Sequence, residues 1–233
     1  MNIDLLKPTQ AYLGYGLVKE KKKTILQKKK VSQKYLQSFL NKKIAPVVIG
    51  PNKNIYLINY HHFARALFEL KFETLWVKII EDLSTLDEKA FWNIMELNQW
   101  ALLIDKNKKT ITPSELPQTV FSMPDFLFRT VSYHVHKRGG YCSVKDSPYI
   151  EFIWAIYFSR KLPSLKELIV KRLKSKSAQD HNKSKEKHDL TYLSPLEELI
   201  ELGFKLAKDK TSEKMAGYSQ STLCPQDSRL FID

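Results

Sequence analysis

Ile55-Tyr56-Leu57-Ile58-Asn59-Tyr60-His61-His62-Phe63-Ala64-Arg65-Ala66-Leu67 is the stretch whose reading decides the fold of this chain. Its first four residues are aliphatic or aromatic and read as a short buried strand. From His61 the apolar positions fall at helical spacing, so a strand hands over to a helix with two histidines at the turn. The first N–H groups of a helix lack backbone partners and attract anions. His62 and Arg65 lie three residues apart, on adjacent surface of the first turn. An arginine offers a planar fork to two phosphate oxygens. The stretch therefore predicts a phosphate pocket. Asn59 ends the strand; an amide is no general base, though it can hydrogen-bond a ribose, a phosphate or a helix end. Metal sites on helices use His at i and i+4, so neither His61-His62 nor His134 with His136 is expected to hold a metal.

Working outward, residues 45–49 read as a strand, 50–54 as a turn, 61–70 as a helix and 75–80 as a third strand. This β-β-α-β unit is the expected structural centre. Upstream, residues 2–13 are mostly apolar with two isolated polar groups, Thr9 and Gln10. Residues 17–30 form a lysine-dense helix with Lys21, Lys22, Lys28 and Lys29 on its polar face. Ser32 is placed to cap a second helix. Downstream, residues 87–98 read as a helix with Phe91, Met95 and Trp92 inward, and 105–109 as a hairpin turn. Residues 113–124 are irregular. Asp125 is expected to cap a helix running to about Lys137 and stopping at Gly139-Gly140. Ser147-Pro148 is expected to open the next. Ser164 with Glu167 and Ser194 with Glu197 have capping-box spacing. Residues 174–189 hold almost nothing for a core and read as a disordered loop. The domain reading is an α/β core over 1–120, a helical extension over 121–218 packed on it, and a flexible tail over 219–233.

The 233 residues carry a formal net charge of +13, which favours polyanionic partners, nucleic acid first. No P-loop, GxGxxG or GxSxG motif is present, and the seven glycines form no phosphate-cradling loop. Any nucleotide site must then rest on a helix terminus and side chains. Cys142 and Cys224 fit no metal spacing and read as free thiols. No apolar stretch resembles a secretion signal or a membrane span, so a cytoplasmic protein is expected. A second cluster is Asp125, Arg129, Glu151 and Trp154. Asp125 and Arg129 are i, i+4 and suit an ion pair; two carboxylates with an arginine also suit Mg²⁺ or an oriented water.

Pro8-Thr9-Gln10, Gly14, Val18-x-x-Lys21 and Tyr56-Leu57-Ile58-Asn59-Tyr60-His61-His62-x-x-Arg65-Ala66-Leu67 together resemble the ParB-like nuclease family, of the wider ParB/sulfiredoxin-like superfamily. Asp125-x-x-x-Arg129, Gly139-Gly140-Tyr141, Pro148-x-x-Glu151-Phe152-x-Trp154-Ala155 and Ala216-Gly217-Tyr218 fit the family's helical half. The resemblance implies an α+β fold, a small mixed sheet flanked by helices, with a helical C-terminal half. It implies a nucleotide or phosphate site at the strand-to-helix turn, with Asn59, His61, His62, Arg65, Lys21, Gln10 and Arg129 as phosphate contacts. Catalysis would fall to His62, Glu151 and Asp125, with Mg²⁺ and a nucleoside triphosphate as the cofactors to expect.

The leading expectation is a phosphate-directed enzyme, a nuclease or a nucleotide-dependent phosphoryl-transfer enzyme. The family's strand usually ends in Asp where this chain has Asn59, which opens the alternative of a non-catalytic DNA- or nucleotide-binding module. In that alternative Lys22, Lys28 and Lys29 would touch DNA backbone. Relatives in the superfamily add a third reading, a kinase of a free amino acid.

Overall fold

The structure, a computed structural model, describes residues 1–145, 147–164, 167, 168 and 194–220. The expected disordered loop at 174–189, and the tail beyond residue 220, lie outside these. The chain forms two compact units that divide between Leu127 and Phe128.

The first unit holds four strands and four helices: β1 (Leu6–Pro8), α1 (Tyr15–Val31), α2 (Gln33–Asn41), β2 (Ile44–Ile49), β3 (Ile55–Leu57), α3 (His61–Glu69), β4 (Trp76–Asp82) and α4 (Glu88–Leu97). The sheet order is β1-β3-β2-β4. β1 runs parallel to β3, β3 antiparallel to β2, and β2 parallel to β4. The expected mixed sheet flanked by helices is therefore present. β1 is an addition, since three residues ending in a proline carry no strand period. Pro46 brings no N–H to the ladder, and the β2–β4 register shifts just beyond it, between Val47 and Val48.

Side chains alternate across a strand, and the sheet uses both faces. Ala45, Val47 and Leu57 face one cluster with Leu36, Phe63, Ala64, Leu67 and residues of α1. Val48 and Tyr56 face a second cluster with Phe91, Trp92 and Met95 of α4. Gly50 opens the β2–β3 turn because a Cβ there would stand 2.7 Å from both the Phe91 and Tyr56 rings. Ser32 caps α2 by accepting the Tyr35 N–H, and Asp87 caps α4 by accepting the Ala90 N–H.

The second unit contains α5 (Leu127–Lys137), α6 (Ile150–Lys161) and α7 (Pro195–Lys208). Its core is aromatic, with Tyr141, Phe152, Trp154 and Phe158 fully buried. The rings of His136, Tyr141 and Trp154 stack in series, at 4.8 and 4.5 Å between centroids. Trp154 Nε1 donates to the Ala216 carbonyl at 2.9 Å, and Cys142 N–H donates to the Gly217 carbonyl at 2.7 Å. Both expected capping boxes form, Ser164 with Glu167 and Ser194 with Glu197.

Three expectations are corrected here. α6 begins at Ile150 behind Tyr149, so Ser147-Pro148 lies in the turn before it. Asp125 lies ahead of α5 and accepts the Tyr15 N–H at the start of α1, so it has no helical i, i+4 relation to Arg129. Cys142 is disulfide-bonded, where a free thiol was expected; distance along the chain does not bound distance in space. The chain's other cysteine, Cys224, lies outside the described residues. Among the described residues no helix is long and apolar enough to cross a membrane.

Candidate functional site

The hand-over from β3 to α3 is built on one unusual backbone position. Tyr60, the N-cap of α3, is left-handed at φ 69°, ψ 20°, and gives no side-chain cap. A non-glycine residue pays about 1–2 kcal/mol for that conformation. Asn59 is exposed, and its Oδ1 accepts the Tyr60 N–H at 2.7 Å. The first helical bond runs from Ala64 N–H to Tyr60 O.

Both histidines are buried and engaged by the 9–14 segment. His61 Nε2 accepts the Thr9 N–H at 3.3 Å, and His62 Nε2 accepts the Gly14 N–H at 3.0 Å. An imidazole nitrogen that accepts is neutral, so each ring carries its proton on Nδ1. The histidines thus fasten β1's extension to α3. Gln10 lies in the same segment; its Nε2 donates to the Tyr12 carbonyl.

Arg65 turns to a different set of partners. Its Nε donates to Glu69 Oε1 at 2.8 Å, its guanidinium also donates to the Phe121 carbonyl, and it lies 4.9 Å over the Tyr15 ring. Lys22 Nζ meets the other oxygen of Glu69 at 2.7 Å. Burial alone would raise the Glu69 carboxyl, but the bonds and charges of Lys22 and Arg65 outweigh it and hold the group below its ordinary value. Glu69 was missed by sequence reasoning, although its i+4 spacing from Arg65 was a readable signal. Lys21 is half-buried on α1.

In the second unit the Glu151 carboxylate meets two side chains. His136 Nδ1 lies 3.0 Å from Glu151 Oε1, and Arg129 Nη1 4.0 Å from Glu151 Oε2. The other ring nitrogen of His136 lies 3.1 Å from Ser143 Oγ. Burial would raise Glu151, but the bond from His136 and the charge of Arg129 hold its carboxyl below the ordinary value. Arg129 also stacks over Phe152 at 5.4 Å. Tyr141 donates to the Ser132 carbonyl, and burial pushes its phenol well above the ordinary value.

The residues named for catalysis thus hold three separate sets of partners: His62 with Gly14, Asp125 with Tyr15, Glu151 with His136 and Arg129. Among the described residues no group of three or more His, Cys, Asp or Glu side chains is placed to hold a metal.

A four-stranded mixed sheet with this strand-to-helix turn defines a ParB-like α+β protein. The family described as "Putative ParB-like nuclease" matches residues 1–160, and the chain belongs to it. No curated protein matches the chain. The crystal structure of protein Atu1540 from Agrobacterium tumefaciens is similar, with a TM-score of 0.71 at 23% sequence identity over 94% of each chain. At that identity the likeness shows the fold alone.

Proposed function

We propose that the protein binds nucleic acid through its phosphate backbone, with the outer face of α1 as the principal contact. The observation that carries this reading is a stripe of exposed lysines, Lys19, Lys23, Lys29 and Lys30. With Lys22, Leu26 and Gln27 they line one shallow concavity on the helix surface. Like charges at i, i+4 destabilise a helix by about 0.2–0.5 kcal/mol per pair, and a polyanion laid along them would relieve that repulsion. Two lysines expected to touch DNA are otherwise engaged: Lys22 pairs with Glu69, and Lys28 bonds the Tyr35 hydroxyl and lies over its ring. The family to which the chain belongs supports a nucleic-acid partner.

The amino end of α3 is the proposed place for a single nucleotide phosphate. Its helix N–H groups, with Asn59 beside them, would hold it, because the Nε2 atoms of both imidazoles already accept backbone bonds. Gln10, Lys21 and Arg65 are proposed as supporting charge and polarity around it, and Arg129 belongs to the Glu151 cluster instead.

The test is binding of a fluorescent DNA duplex across a salt series. Each phosphate contacted contributes about −0.9 to the slope of log affinity against log salt. Replacing Lys19, Lys23 and Lys30 together by Ala should flatten that slope by about 1 per lysine. An unchanged slope would overturn the reading.

The family match favours phosphodiester hydrolysis as a second reading. Incubation of plasmid and single-stranded DNA with and without divalent metal tests it. Equal cleavage by a His62→Ala variant takes His62 out of the chemistry, and equal cleavage by Asp125→Asn and Glu151→Gln does the same for the carboxylates.

A further inference from the structure

We propose that Ser143, His136 and Glu151 form an acyl-transfer site that accepts small, activated carboxylic esters. This goes beyond the nucleic-acid reading and uses none of the residues which that reading places against the DNA backbone. The three side chains make one continuous relay: Ser143 Oγ to His136 Nε2 at 3.1 Å, and His136 Nδ1 to Glu151 Oε1 at 3.0 Å. Nucleophile, base and orienting carboxylate within hydrogen-bond reach are what an activated serine needs, whatever their order along the chain.

The direction of the relay follows from its carboxylate end. An ionised carboxylate only accepts, so the proton of a neutral His136 sits on Nδ1. That leaves the Nε2 lone pair toward the Ser143 hydroxyl. His136 and Glu151 are each held in place by further groups. The His136 ring lies flat on Tyr141 at an interplanar angle of 7°. Tyr141 is fixed by its hydroxyl to Ser132 and by stacking on Trp154. Glu151 stands in the first turn of α6, where a helix favours negative charge, with Arg129 beside it. Ser143 follows the Gly139-Gly140 break after α5 and is half-buried. Partial burial limits the acyl group to a small one.

In the reaction the Oγ–carbon bond forms as the hydroxyl proton passes to His136 Nε2 and the carbonyl electron pair moves onto oxygen. When the pair returns, the bond to the ester oxygen breaks. The leaving alkoxide takes the proton from His136. Water then attacks the acyl-serine by the same route and releases the acid with serine restored. Ester and water give acid and alcohol, with no further reagent. Glu151 acts through His136 and is a positioning residue.

The test uses the full chain with p-nitrophenyl acetate and, separately, a fluorophosphonate probe. A burst of nitrophenolate is expected, and mass mapping should find both adducts on Ser143. Ser143→Ala and His136→Gln should lose the burst. Glu151→Gln should slow it by roughly 10²-fold or more, and Glu151→Asp should recover part of the rate. Adducts absent from the unaltered protein, or mapped to another residue, would overturn the proposal, whatever the variants' folding. DNA binding that persists in Ser143→Ala keeps the two readings separate.

Discussion

A histidine at a helix start can be a ligand or a strut, and His62 shows how one bond decides between them. Its Nε2 accepts the Gly14 N–H inside the first unit. Removing it leaves a buried donor unpaired, which costs about 1–3 kcal/mol. His62→Ala should therefore lower the unfolding free energy measured by urea denaturation by that amount, whatever it does to binding. Glu69 makes a pH-dependent contribution. Its folded-state value is lowered, so its stabilisation is complete above the ordinary carboxylate range and disappears as pH falls through the lowered value. Glu69→Gln should cost about 1 kcal/mol at neutral pH, and the gap from the unaltered chain should close in acid melts. Residue identities were legible in the sequence; partners were not. Arg65 was expected to face a ligand, yet it faces Glu69, Phe121 and Tyr15.

At the scale of elements, local chemistry was legible wherever the signal is itself local. Period and capping placed α1 to α4, β2, β3 and β4 within a few residues of their bounds, because strand and helix differ in repeat and a cap needs only its own first turn. Gly50 gives a test at this scale. Gly50→Ala should destabilise the protein by about 1–3 kcal/mol, since its methyl group meets two packed rings at 2.7 Å. Chemical denaturation measures it. β1 and the true start of α6 escaped the pattern for a physical reason. β1 exists because β3 offers a parallel partner, and Pro148 is spent on a turn although proline suits a helix start equally well.

For the whole molecule, two compact units imply that a core lesion acts first on its own unit. Trp154→Ala removes a fully buried ring, its stack on Tyr141 and its bond to Ala216. It should cost about 3–5 kcal/mol in the second unit, seen as an early melting step. DNA affinity carried by α1 in the first unit should remain just above the temperature of that step.

Composition, charge and period were enough to define a basic chain with a β-β-α-β centre, and the ordered motifs around Tyr56–Leu67 carried the resemblance to the ParB-like family, since each is a property of residues and near neighbours. Tertiary structure alone decided that the two histidines brace a backbone segment, that Arg65 meets the Phe121 carbonyl, and that His136 stands between Ser143 and Glu151. Those outcomes depend on groups 7 to 56 residues apart meeting at 3 Å or so, and no local pattern encodes which distant polar group a folded core will bring within reach.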